Sequence, residues 1–397
     1  MPGDSNDEIR TSLEQHLKTW GLHRFTSDRD YFAWQQRTFS RNDLDALHRA
    51  VETRRQGGSA ADRAFYDLTA QPSLIPALYS QRYEYYLEVG SRISAALDPD
   101  QPILDVGCGI GILTTFYAVQ HPTCRVLGVD RSGASIDQAR RRAEELGLDN
   151  VRFECCDLEK DALPERYPVV IATHVLFQSE GDLGLPSRSW ATFDRARDPL
   201  TQQAFEARTG IGPRLDRLSA ALAPGGRAIL FEKARLLSRR IPFQRALEAR
   251  GLCPTLRPEP IRYASVEEIT EDGPLYILSR GPASFLWNEQ PEPDEGARLD
   301  LSAIMQARGT DEAPLYENHW PSAHEAWAQL PARQVVREVT RDEADGRQLH
   351  VEQGLSGDLM YLYVANTFDQ RQLVVVEAAR RAMLEQYYRE IVGADLQ

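Results

Sequence analysis

The sequence predicts an α/β protein built on a doubly wound, mostly parallel sheet, with a helical region before it and a small β-rich α+β unit after it. Three observations predict this. From Pro102 onward, short apolar runs (ILDVG, RVLGVD, NVRFECC, PVVIATHV, GRAILFE, PLYILS) alternate with helical stretches such as SIDQARRRAEELGL and RLDRLSAAL, the rhythm of strand–helix–strand crossovers. Residues 6–100 carry no strand signal and read as helices broken by punctuation such as RRQGGSAAD. Beyond the Pro/Glu/Asp-rich stretch NEQPEPDEGA, the runs QVVREVT, RQLHVEQ, DLMYLYVAN and QLVVVEA have the alternation of a four-strand meander, and EAARRAMLEQYYREIV has the period of an amphipathic helix. The expected organisation is a helical region and lid at 1–100, a sheet domain at 101–283 with an insertion at 179–213, a linker at 284–310, and the meander with its closing helix at 311–397.

Composition narrows the function classes. With 42% hydrophobic and 26% charged residues in 397, the chain has apolar sequence for at least one full core, and wholesale disorder is excluded. The formal charge of -13 opposes capture of phosphate backbones or anionic lipid, so neither nucleic acid nor membrane is expected as a partner. Only three lysines are present, Lys18, Lys160 and Lys233, which sets Schiff-base and lysine-base chemistry aside. The five cysteines (Cys108, Cys124, Cys155, Cys156, Cys253) form no CxxC pair, so they read as reduced thiols of a cytoplasmic protein, and no metal site is expected. The polar, acidic start MPGDSNDEIRTSLEQHL lacks the apolar core of a signal peptide, and no run approaches the roughly 18 apolar residues of a membrane helix.

The most informative segment is Ile103-Leu104-Asp105-Val106-Gly107-Cys108-Gly109-Ile110-Gly111, a strand entering a glycine-rich turn and then a helix. Glycines at that turn let the backbone approach a ligand at the carboxyl end of the first strand. Asp105, two residues before Gly107, would repel a pyrophosphate and attract a cation. The spacing is GxGxG, not the GxGxxG of dinucleotide binding, and no GxxxxGK[ST] phosphate loop exists. Nineteen positions after Gly111, VLGVD ends a second strand in Asp130, where a carboxylate can accept both ribose hydroxyls. A third strand ends at Asp157-Leu158, where the acid can accept an exocyclic amine and the leucine can cover the ring.

In this ordered set the sequence resembles the class I S-adenosylmethionine-dependent methyltransferases. LDVGCGIG is similar to their first motif, VLGVD to the second, ECCDL to the third, VVIATHVL to the fourth, and LAPGGRAILFE to the turn and strand that follow, over roughly Tyr79 to Gly281. The resemblance implies a seven-stranded Rossmann-like sheet and S-adenosyl-L-methionine as cofactor. It assigns Asp105 and Gly107 to the methionine end, Asp130 to the ribose, and Asp157 with Leu158 to the adenine. Cys108, Gly109, Gly111, Arg131, Thr173 and His174 are further expected cofactor contacts. Its NPPY sequence for planar amides and amines has no counterpart, since the fourth strand continues as Thr173-His174-Val175, which argues against DNA or glutamine methylation.

Methyl transfer from sulfonium is an in-line displacement in which positioning supplies most of the rate, and only some acceptors need a base. His174 and Glu232, at the tips of the fourth and fifth strands, are the candidate catalytic residues. Tyr79, Tyr83 and Tyr86 fall at helical spacing with Arg82 between them. A core stripe is the plain reading, but the family's lid helix lies here, so Tyr79 and Arg82 are expected at the acceptor. Trp190, in the long stretch from Ser179 to Pro213, is the third expected substrate contact. The acceptor is expected to be a small molecule or a peptide. The meander is open to three roles: a homodimer contact, a pocket wall, or stability alone. Two rival readings are a cyclase or aminocarboxypropyl transferase that releases methylthioadenosine, and a non-catalytic cofactor-sensing scaffold.

Overall fold

A computed structural model of the chain describes residues 3–55, 59–163, 165–177, 181–281, 284–306 and 313–393. The chain packs as two units, one formed by Met1–Asp182, Glu206–Arg235 and Gln244–Leu286, the other by Leu183–Phe205, Leu236–Phe243 and Trp287–Gln397. Among the described residues no helix is long and apolar enough to cross a membrane.

The first unit holds the sheet. Its strands are β1 (Ile103–Val106), β2 (Val126–Asp130), β3 (Val151–Cys155), β4 (Tyr167–Thr173), β5 (Leu222–Phe231), β6 (Leu252–Pro254), β7 (Glu259–Ser265) and β8 (Glu268–Arg280). The hydrogen-bonded order is β3-β2-β1-β4-β5-β8-β6, with β7 paired on β8. β1 to β5 run parallel, while β8 is antiparallel to β5, β6 and β7. The expected count of seven is therefore met along the main path and exceeded by one, because the chain turns back after Ser265 and lays β7 against β8. All four residues of β1 are buried, as befits a parallel strand covered on both faces. The strand order reverses between β1 and β4, so the tips of those strands open a crevice where an α/β sheet binds its ligand.

Helices Gly3–Thr19, Asp28–Thr38, Arg41–Arg55 and Ser59–Thr69 precede the sheet. The stretch that follows is helical but irregular: an α turn at Ile75–Tyr79, a 3-10 turn at Ser80–Arg82, an α turn at Tyr83–Tyr85, a π turn at Tyr86–Gly90 and an α turn at Ser91–Ala95. Such changes of winding shift which side chains share a face, and π turns recur at functional sites. The core beneath joins Leu13, Leu17 and Leu87 to Phe116, Ile103, Val169 and Ile229.

The second unit is a five-stranded antiparallel sheet of β9 (Tyr316–Asn318), β10 (Arg333–Asp342), β11 (Gln348–Ser356), β12 (Leu359–Asn366) and β13 (Arg371–Glu377), ordered β10-β11-β12-β13-β9. The last four form the meander read from the alternation, and the three-residue β9 is too short to show a period. One apolar cluster joins Tyr361, Tyr363 and Val375 to the helix Ala323–Gln329 and to Trp190. The other joins Val351, Leu362 and Val374 to Leu384 of the closing helix Arg381–Gly393. Residues 284–310, expected as a linker, include the short helix Leu301–Gln306, and 282, 283 and 307–312 lie outside the described residues, as do 394–397 at the chain's end.

Candidate active site

The glycine loop follows β1 and has left-handed backbone at Gly107 (φ 75°), Gly109 (φ 54°) and Gly111 (φ 84°), conformations that favour glycine. A Cβ on Gly107 would come within 2.8 Å of Val175, whereas one on Gly109 would meet nothing within 4 Å. Strain therefore fixes Gly109, and the space beside it is open. The loop folds over the tip of β2: Gly107 and Cys108 donate their amides to the Val129 carbonyl at 2.8 and 3.1 Å. Gly109 donates to Asp130 Oδ2 at 2.9 Å, and Ser132 donates to the other oxygen at 2.9 Å. Burial raises the Asp130 carboxyl above its usual range against the pull of these amides. Arg131 and the part-buried Cys108 flank it, and burial also raises the Cys108 thiol.

Asp105 is buried beneath the loop and accepts the Thr114 hydroxyl at 2.6 Å. Burial pushes its carboxyl up to about 7, Thr114 pulls the other way, and Asp130 adds to the rise. Among the described residues no cation pairs with it. The Tyr117 hydroxyl, also buried and without a hydrogen-bond partner among them, lies in its field. A buried acid that lacks a counter-ion, beside an open glycine loop, fits a ligand carrying an ammonium. At the third strand tip Asp157 is partly exposed, accepts the Glu159 amide at 3.1 Å and pairs with Lys160 at 3.1 Å, while Leu158 is buried.

His174 follows β4 with φ 55°, a left-handed conformation that costs a non-glycine residue strain and marks functional turns. Arg82 donates to its Nδ1 at 2.9 Å. Because a guanidinium only donates, Nδ1 is the acceptor and the ring proton of the neutral imidazole sits on Nε2. Nε2 lies 3.0 Å from Asp272 Oδ2, off line for a hydrogen bond. Tyr263 of β7 donates its hydroxyl to the same carboxylate oxygen. The His174 ring and the Tyr263 hydroxyl overcome burial and hold Asp272 well below the usual carboxylate range. Burial lowers His174, and the Arg82 charge adds to that while Asp272 opposes it. Tyr85 stacks on His174 with centroids 5.2 Å apart, and the Arg82 guanidinium lies 4.4 Å above the Tyr85 ring. Arg82 makes no ion pair among the described residues, and its charge is surrounded by Tyr86, Tyr85, Tyr263 and Tyr66.

Arg82, His174 and Thr173 thus come together. Tyr79 is buried nearby. Two of the expected residues have partners that the sequence does not announce. Glu232 does not stand free as a base: it is buried, and its Oε1 accepts the Val175 and Leu176 amides, each at 2.9 Å. It staples the loop after β4, with burial pushing its carboxyl up to about 7 against those donors. Trp190 is taken up within the second unit, where its ring stacks on His350 with centroids 3.5 Å apart and planes 3° apart. Leu183–Phe205 of the expected insertion belongs to that unit, and residues 179 and 180 lie outside the described residues. Sequence reasoning missed Tyr85, Tyr263 and Asp272. Tyr85 falls off the 79/83/86 spacing, just after the 3-10 turn at Ser80–Arg82, and Asp272 arrives through the β7–β8 pairing, which leaves no local motif.

Comparison with known proteins gives the chain its family. A family profile described as a methyltransferase domain matches residues 97–233. The malonyl-[acyl-carrier protein] O-methyltransferase of Acetivibrio thermocellus is 34% identical over 113 residues, covering 26% of this chain and 38% of that protein. The tRNA (guanine-N(7)-)-methyltransferase of Rubrobacter xylanophilus is 31% identical over 181 residues, covering 45% of this chain and 73% of that protein. The solved structure of magnesium protoporphyrin IX methyltransferase from Synechocystis with bound S-adenosylhomocysteine is 17% identical, covers 51% of this chain and 82% of that one, and superposes with a TM-score of 0.34. The chain belongs to the class I S-adenosylmethionine-dependent methyltransferases. Enzymes of that class are transferases that take the methyl group from S-adenosylmethionine. The chain spans under two fifths of the acyl-carrier-protein enzyme's length, and the acceptors named for these relatives are theirs.

Proposed function

We propose that the chain transfers a methyl group to a small-molecule or peptide acceptor in the cytoplasm, with residues 1–100 forming a lid over a cofactor domain at 101–283. The observation that carries this reading is a pair of unmatched charges in one unit: Asp105, a buried acid without a counter-ion, and Arg82, a half-buried cation without an ion pair. The bound molecules answer both, an ammonium meeting Asp105 and a carboxylate meeting Arg82. S-adenosylmethionine, when bound, supplies an electrophilic methyl on sulfonium that a nucleophile takes in line. Asp105, Gly107 and Asp130 hold the ligand's methionine and ribose ends, and Asp157 with Leu158 its adenine.

On the acceptor side the chain positions and excludes water. Arg82 occupies the His174 lone pair, so that ring does not stand ready to take a proton, and the Val175 and Leu176 amides tie Glu232 to the turn after β4. The acceptor is therefore one that arrives as a nucleophile, such as a carboxylate or a neutral amine. The formal charge of -13 opposes a nucleic-acid acceptor, and the five free thiols favour a reducing compartment. The test is incubation with methyl-labelled cofactor and a metabolite extract, followed by mass spectrometry. A labelled small product with stoichiometric S-adenosylhomocysteine is expected. Methylthioadenosine as product, or no turnover with any acceptor, overturns the reading.

A further inference from the structure

We infer that the second unit carries a divalent-cation site formed by Glu338 of β10 with His350 and Glu352 of β11, suited to Zn2+ or a chemically similar first-row ion. One ligand atom from each lies within 4.8 Å of the others. His350 is 1% exposed, and its Nε2 has no hydrogen-bond partner among the described residues. That nitrogen lies 3.6 Å from Glu352 Oε2, too long for a hydrogen bond. It is close to the edge of about 3.4 Å that separates two ligands on a tetrahedral ion with bonds of about 2.1 Å.

The surroundings hold each ligand in place. His350 Nδ1 lies 2.8 Å from the Thr340 hydroxyl, which can accept its proton, and in that tautomer Nε2 carries the lone pair an ion needs. Trp190 is stacked flat on the imidazole and fixes its plane. The other oxygen of Glu352 accepts Tyr361 at 2.6 Å and Trp327 at 3.1 Å, which leaves Oε2 for the ion. In the β10–β11 register Glu338 stands directly opposite Glu352, a like-charge pair that destabilises a sheet unless a cation lies between them. The neighbouring Arg337 donates its Nε to Gln353. One imidazole and two carboxylates suit a borderline ion and leave a coordination position for water. Bound there, the ion would pin β10, the edge strand of this sheet, to β11.

The test uses the full, untagged chain after treatment with chelator. Wild type is expected to take up one equivalent of Zn2+, with a Co2+ spectrum typical of nitrogen and oxygen ligands and a raised thermal midpoint. Glu338 is exposed, so Glu338→Ala should fold normally and bind at least about tenfold more weakly, with the thermal shift lost. Binding of S-adenosylhomocysteine, measured on the same samples, reports on the first unit and should be equal in both. Failure of wild type to bind Zn2+ overturns the inference, and so does a Glu338→Ala affinity equal to wild type. A metal-free His350 found with both ring nitrogens protonated at pH 7 also overturns it, because the imidazolium would then satisfy the two carboxylates by itself.

Discussion

The two halves of the crevice in the first unit are built on opposite plans. On the glycine-loop side, three acids stand at strand tips, and the most buried of them, Asp105, lacks a cation. On the His174 side, a guanidinium lacks an anion, and the potential bases around it are already bonded. The first half thus presents negative charge without a cation beside its most buried acid. The second is a rigid wall of aromatic rings around one positive charge. A methyl donor needs a fixed grip whatever its acceptor, whereas the acceptor side varies with the chemistry, so only the first half is written as a motif.

The sharpest way to break this comparison is Asp105→Asn. The amide still accepts the Thr114 hydroxyl, so the fold should hold, but an uncharged group no longer attracts the ammonium. Loss of one charged hydrogen bond, about 1.5–3 kcal/mol, predicts S-adenosylhomocysteine binding weaker by roughly 10- to 100-fold, toward the upper end because the site is buried. Calorimetry checks this, and an unchanged affinity would place the ammonium elsewhere. Arg82→Ala should cost about tenfold or more in the constant of whichever molecule brings the carboxylate. Weaker S-adenosylhomocysteine binding assigns that carboxylate to the cofactor, and a raised acceptor KM with unchanged cofactor binding assigns it to the acceptor. Since Arg82 helps to hold His174 low, the variant's imidazole should also titrate higher by NMR.

The same contrast governs what could be read from the chain. Asp105, Asp130 and Asp157 were legible because each ends a strand within a few residues of a glycine turn or an apolar run, so local sequence fixes both element and position. His174 and Arg82 were legible as places, though not as a bonded pair. Asp272 was not, because it reaches His174 only through the antiparallel β7–β8 arm, a pairing between segments that carry no signature. Glu232 shows the converse: its strand-tip position was read correctly, but the left-handed turn at His174 swings two amides onto its carboxylate, and no sequence pattern announces that turn. Trp190 lies in Leu183–Phe205, a segment that packs with the other unit, and the order of the chain carries no sign of that.

A smaller effect sharpens the cofactor half. Asp105 must be ionised to attract an ammonium, and its carboxyl sits at about 7 in the free protein. Affinity for S-adenosylhomocysteine should therefore rise with pH, by about tenfold between pH 6 and 8, then level off, with one proton released on binding near pH 6. Calorimetry in buffers of different ionisation enthalpy measures that proton, and a flat profile would mean that Asp105 is already ionised in the free site.

The smallest effect concerns Glu232, and its sign separates a staple from a base. Burial raises the folded carboxyl from 4.5 to about 7. Between those values the folded chain holds a proton that the unfolded chain has lost, so the stability contributed by this group is full below about pH 4.5 and is lost as pH rises through 7. Glutamine cannot ionise, yet its carbonyl still accepts the Val175 and Leu176 amides. Glu232→Gln should therefore gain on wild type as pH rises, with the difference in unfolding free energy shifting by about 1–3 kcal/mol from pH 5 to pH 8 and near zero net change at the upper end. Paired thermal melts at four pH values read this difference, and other titrating groups cancel between the two proteins. Turnover at pH 8 should stay within a few-fold of wild type. A loss of the roughly 10²–10⁴-fold that removal of a general base brings, together with a pH-independent stability difference, would return Glu232 to the chemistry and make the loop amides its tuning rather than its purpose.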